Sequence, residues 1–156
     1  VVTVKKKSVE SFCELPAKKK GEGRRANRTA FYPHKGECRW EGIRDDQYKV
    51  EGEGWADVVR RVLIGSHGES TKFHVRYFEI SPGGFSSLER HGHEHVVICI
   101  KGEGVVRTGK LKRNMRFLDV LYIASDIVHQ LRNPFDEPFG FLCIVNAERD
   151  RPVKLS

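Results

Sequence analysis

Cysteine is scarce in this chain, and no long apolar run occurs. The four cysteines among 156 residues, Cys13, Cys38, Cys99 and Cys143, are too few and too scattered for a disulfide framework, and there is no CxxC pair. Cys99 and Cys143 lie inside apolar runs and read as buried thiols. No window approaches the ~18 apolar residues of a membrane span, so no membrane partner is expected. The opening Val1-Val2-Thr3-Val4-Lys5-Lys6-Lys7 lacks the apolar stretch and cleavage site of a secretory signal. A cytoplasmic location is the expectation.

A net excess of charge is missing from most of the chain as well. Residues 1–40 hold 11 Lys or Arg against 4 Glu, which accounts for the whole net charge of +7. The remainder is balanced. The excess therefore belongs to an N-terminal arm, residues 1–28, read as solvated and flexible. Its lysine clusters lack interleaved aromatics and no recognition helix follows them, so no sequence-specific nucleic-acid function is expected.

Residues 29–54 carry aromatics without clear periodicity, including Phe31, Tyr32, Trp40 and Ile43. They read as an irregular, partly stranded extension packed on the outside of a barrel. From Trp55 the texture changes to short β-branched and aromatic runs at 58–64, 72–80, 94–101, 103–108, 119–123, 127–132 and 139–145. Turn residues separate them, among them Ser81-Pro82-Gly83-Gly84 and Lys101-Gly102-Glu103-Gly104. No window beyond Trp55 keeps a 3.6-residue period. The expectation is an all-β sandwich or barrel of the jelly-roll kind over 55–150, with 151–156 as a C-terminal tail.

The chemistry concentrates in Glu89-Arg90-His91-Gly92-His93-Glu94-His95. In an extended strand alternate side chains share a face, so Glu89, His91, His93 and His95 would point one way. Three imidazoles and a carboxylate at period two, running into an apolar strand, point to a metal site for Zn, Fe, Mn, Ni or Cu. A polar strand face without a ligand is the plainer alternative, but grouped polar side chains inside a barrel are costly. One ion cannot touch all four of a straight strand, because the outermost pair would stand ~20 Å apart.

These residues resemble the first motif of the cupin superfamily. Anchored at Gly83 and Gly102, the chain gives Gly-x5-Glu89-x-His91-x3-His95-x6-Gly. The spacing is kept while the ligands are permuted: Glu stands for the first His, and His for the usual Glu. The second motif is carried by Leu118 to Asn133, which keeps His129 and Asn133. It loses the leading glycine (Leu118), the proline (Ala124) and the turn glycine (Asp126), although Asp tolerates a left-handed turn. Further likeness in Arg61–Gly65, Arg76-Tyr77-Phe78 and Phe141-Leu142-Cys143 is to small single-barrel microbial cupins that bind manganese through four histidines. The resemblance implies a single cupin barrel holding one divalent metal ion, Mn or Fe favoured and Zn or Ni possible, through Glu89, His91, His95 and His129. An alternative register takes His91-Gly92-His93 as the ligand pair. It finds no carboxylate near Val97 or Ile98, so His93 is left as a second-line donor, a proton carrier or a substrate contact.

For function, the resemblance implies a metal-dependent oxidoreductase or dioxygenase acting on a small organic molecule. A metal-dependent isomerase or lyase, with His93 or Glu89 moving a proton, and a non-catalytic ligand-binding barrel are the alternatives. Phe141 and Cys143 share an inward parity and are candidate substrate-lining residues with His93; Cys143 could equally be an inert buried thiol. Arg76 could clamp a substrate carboxylate or lie in water, with solvent favoured. His34, His67 and His74 read as surface residues, and Trp40 and Trp55 as packing. Exposed sheet edges and an apolar outer face lead to the expectation of a homodimer.

Overall fold

A computed structural model describes residues 29–48, 54–149 and 153–155. The basic arm lies outside the described residues. Among those described there is no helix, and none long and apolar enough to cross a membrane. The strands are β1 (Asp46–Gln47), β2 (Ala56–Ile64), β3 (Phe73–Phe85), β4 (Glu89–Arg90), β5 (His95–Lys101) and β6 (Gly104–Thr108). They continue with β7 (Leu111–Met115), β8 (Val120–Ile123), β9 (His129–Arg132), β10 (Phe139–Asn146) and β11 (Val153–Lys154).

All pairings are antiparallel, and they build two walls. The larger runs β1-β2-β3-β10-β5-β8 and the smaller β7-β6-β9-β4-β11. The long β3 joins them, pairing with β2 and β10 along most of its length and with β9 at Phe85↔Arg132. This is the all-β jelly roll expected.

The crossing explains one departure from the sequence reading. Ser81-Pro82-Gly83-Gly84, expected as a turn, lies inside β3. Gly83 takes φ 80°, its N–H donates to the Asn133 carbonyl at 2.8 Å, and Asn133 N–H returns to Gly84 at 2.9 Å. The breaker residues therefore bend one strand from wall to wall. Strand β7 was not anticipated. Four of its five residues are exposed, so Leu-Lys-Arg-Asn-Met carries no alternating pattern to read.

Between the walls lies an apolar core, including Phe78, Ile80, Val97, Leu131, Phe139 and Phe141. Phe78 and Phe141 stack at 5.6 Å between centroids. Full burial of each such ring contributes roughly 2–3 kcal/mol.

The extension grips the larger wall. Trp40 packs edge-on against Tyr77 at 5.5 Å, Tyr48 against Trp55 at 4.8 Å, and Arg61 Nε meets Asp45 Oδ1 at 2.5 Å. Tyr32 donates to Glu69 Oε1 at 2.6 Å. Burial alone would raise the Glu69 carboxyl, but this hydroxyl and the backbone N–H groups of Glu69, His67 and Gly65 hold it down at about 2. Two expectations fail here. Phe31 stands 85% exposed rather than packed. His74 is buried, sharing the inward parity of β3 and lying against Gly65, where a larger residue would collide with its ring.

Candidate metal centre

The histidine segment is not one straight strand. β4 ends at Arg90 in the smaller wall, β5 begins at His95 in the larger, and residues 91–94 turn the corner between them. The corner is tied to the β8–β9 turn. Asp126 N–H donates to the His91 carbonyl at 2.8 Å, and the Ser125 hydroxyl donates to the Gly92 carbonyl. Glu89 pairs with His129 across β4 and β9. Folding the segment thus brings together side chains that a straight strand would spread apart.

His91, His95 and His129 converge. Their candidate donor atoms all lie within 4.8 Å of one another, and all three rings are buried. His129 Nδ1 lies 2.9 Å from the Ile127 carbonyl and His91 Nδ1 2.9 Å from the His93 carbonyl. A ring nitrogen beside a carbonyl carries the proton, so each Nε2 is left as a lone pair facing inward. His129 Nε2 is buried and has no hydrogen-bond partner among the described residues. His91 Nε2 and His95 Nε2 stand 2.8 Å apart. Burial, followed by the charges of His129, Arg76, His91 and His93, pushes the His95 imidazolium far below its ordinary value. The direction of that shift favours the neutral ring, the form that ligates.

Glu89 is completely buried at the edge of this group. Its Oε2 accepts the Ser87 hydroxyl at 3.0 Å, and its Oε1 lies 4.0 Å from His91 Nε2. Ser87, in the connection between β3 and β4, was missed by the sequence reading; its place two residues before Glu89 was the available signal. His93 is buried with its ring parallel to His91, 3.7 Å away, and lies outside the converging set.

Cys143 lines the same space from β10. Its Sγ lies 3.2 Å from His95 Nδ1 and accepts from Arg76 Nη2 at 3.4 Å. Burial raises the thiol, and the Arg76 charge works against that rise. Arg76 is fully buried, which corrects the preference for solvent. It shares the inward parity of His74, Phe78 and Ile80 on β3, pairs with Cys143 in register, and stands 5.3 Å over the Phe78 ring. Phe141 is inward too, deeper in the core. Asn133 serves the fold instead, donating to the carbonyls of Ile80 and Glu137 at 2.8 Å each.

Comparisons with known proteins identify the family and the fold. A cupin-domain profile matches residues 76–145. The chain is 42% identical over 123 residues to the 1-methylthio-D-xylulose 5-phosphate methylsulfurylase of Rhodospirillum rubrum, covering 78% of each protein. A cupin-2 domain structure from Rhodospirillum rubrum is similar at 40% identity and a TM-score of 0.71, over 81% of this chain and 84% of that one. A cupin 2 conserved barrel domain protein from Rhodopseudomonas palustris is similar at 34% identity and a TM-score of 0.75, over 81% and 87%.

Proposed function

Because this chain belongs to the cupin domain family, we propose that Glu89, His91, His95 and His129 hold one divalent ion and that the centre acts on a small sulfur-bearing ketose phosphate. The observation carrying the metal assignment is His129 Nε2, buried without a hydrogen-bond partner among the described residues and close to two other imidazole nitrogens. Burying an unsatisfied polar atom costs about 1–3 kcal/mol, which an ion would offset. Three imidazoles and one carboxylate suit Mn or Fe, with Zn or Ni possible. The ion would supply Lewis-acid polarisation of substrate oxygens.

The substrate class rests on the Rhodospirillum rubrum relative, whose substrate is a ketose phosphate carrying a methylthio group. This favours oxygen-independent, lyase-like cleavage of a carbon–sulfur bond over the dioxygenase that the resemblance implied. Such a ketose has acidic C–H bonds beside its carbonyl, and Glu89 or His93 is the group to move that proton. Cys143 is the thiol at the cluster. Its attack on the thioether sulfur breaks the carbon–sulfur bond, forms a Cys143–S–S–CH3 disulfide, and leaves the carbon to take a proton. The carbon is reduced and the thiol is oxidised; an external thiol then attacks the methylthio sulfur, leaves with it as a mixed methyl disulfide, and returns Cys143 to the thiol. Arg76, against Cys143 Sγ, stabilises the thiolate this requires.

The test is 1-methylthio-D-xylulose 5-phosphate with metal-loaded protein and excess thiol, followed by proton NMR and an oxygen electrode. Loss of the sugar-bound methylthio signal without oxygen uptake is expected, together with abolition in Cys143→Ser at unchanged metal content. Turnover coupled to oxygen uptake would restore the oxygenase reading. An inert, metal-loaded protein would leave a binding barrel.

A further inference from the structure

The smaller wall has a second face, turned away from the metal centre. Along β9, His129 and Leu131 are buried inward, while Gln130 and Arg132 lie on the opposite side. Arg107 of β6 shares that outer side, because the register sets it against Gln130 and sets Val105 against Arg132. Lys112 of β7 stands directly opposite Arg107. With the bend of β3 at Gly83-Gly84 and with Pro134, these residues line a groove of about 360 Å³.

The charges in this groove are grouped against their own repulsion. Like charges directly opposite across an antiparallel pair are destabilising, and diagonal neighbours remain within reach of long side chains. Arg107 is directly opposite Lys112 and diagonal to Arg132. Among the described residues no carboxylate lines the groove, and none of these three cations is in an ion pair. Two contacts hold the guanidinium groups in place. Arg107 Nε donates to the Gly109 carbonyl at 3.1 Å, and Arg132 stands 5.4 Å over the Phe85 ring. The space beside Gly83 is open, since a side chain there would meet nothing within 4 Å.

We propose that this groove is a second ligand site, separate from the metal centre, which takes the phosphate group of a small phosphate monoester. Such a group carries about 1.5–2 negative charges near neutral pH and offers three strong acceptor oxygens. It offsets the repulsion among three cations, and each arginine fork can bind two of its oxygens at once. The groove falls within the ~300–1,000 Å³ of small-molecule pockets. The rest of its lining, including Gly83, Gly84, Val105 and Pro134, carries no charge. A ligand that fills it therefore has an uncharged body beside its phosphate. The chain's own residues 1–28 do not match it, because they carry nine Lys or Arg against three Glu.

The experiment is titration calorimetry of the metal-loaded full chain with adenosine 5′-monophosphate and ribose 5-phosphate, beside inorganic phosphate, adenosine and ribose. At least one ester should bind, at least ~10-fold more tightly than inorganic phosphate, and the phosphate-free compounds should not bind. Arg107→Gln should weaken that ester ~100-fold and Lys112→Gln ~10-fold, the loss of one charge-assisted contact each. Protein stripped of metal by a chelator should bind it unchanged. Circular dichroism identifies folded variants, and Lys112→Gln, exposed on an edge strand, supplies the test if Arg107→Gln does not fold. Absence of binding by both esters, inorganic phosphate binding as tightly as they do, a folded Lys112→Gln of unchanged affinity, or binding lost with the metal would each overturn the proposal.

Discussion

Gly83 and Gly102 bracket the first half of the candidate centre at φ 80° and 60°; Leu118 and Asp126 stand in the second half at φ 68° and 61°. The backbone does the same thing in both halves, with glycine in one and side chains in the other. An L-residue held left-handed costs about 1–2 kcal/mol. At Leu118 that conformation accompanies an N–H donated to the Cys99 carbonyl at 2.8 Å, and at Asp126 one donated to His91 at 2.8 Å. The second bond ties the turn before His129 to the corner that carries His91. What the centre requires of these turns is a direction of the chain, and glycine is one means of reaching it.

The largest expected effect comes from the second half. His129→Ala removes the only proposed ligand on β9, and a full equivalent of bound metal should fall to a trace by elemental analysis. Unchanged metal content would show that the first half suffices alone.

Next is Gly102, where the first half cannot accept what the second tolerates. A side chain there would collide with the Pro138 carbonyl while the residue sits at φ 60°. Strain and overpacking together should make Gly102→Ala destabilising by about 3 kcal/mol in urea unfolding. A loss below half of that would mean the β5–β6 turn is more adaptable than its contacts imply.

Smallest is the relief of strain at Leu118, whose side chain is exposed. Leu118→Gly removes about 1–2 kcal/mol of left-handed strain and adds ~1 kcal/mol of unfolded-chain entropy, for a net gain of about 0.5 kcal/mol. Asp126→Gly should be close to neutral, because Asp tolerates this region better. A rise in urea midpoint for Leu118→Gly alone, at constant slope, would separate the two positions. A fall would show that Leu118 packs somewhere that its exposure conceals.

Legibility in the sequence followed the same division. Where residue identity and geometry coincide, as at Gly102, His91, His95 and His129, the resemblance to the cupin motifs picked out the histidines that converge. Where geometry is reached without its usual residue, the pattern was silent or misleading. Pro82-Gly83-Gly84 read as a turn because a strand that bends between walls uses the same residues as one that ends. The histidine segment read as one strand because nothing in Gly92 alone distinguishes a corner from an extended residue. Arg76 was misjudged for another reason: its charge was weighed above its parity with Phe78 and Ile80, and burial followed parity.

The central claim is the four-residue metal centre, and the most direct measurement is anomalous scattering at the metal edges from crystals of the protein as purified. The account predicts a single peak about 2.0–2.2 Å from the Nε2 atoms of His91, His95 and His129 and from one Glu89 oxygen. A peak bound by His93 with Glu89 turned away, or metal-loaded crystals with no peak between the two walls, would contradict it.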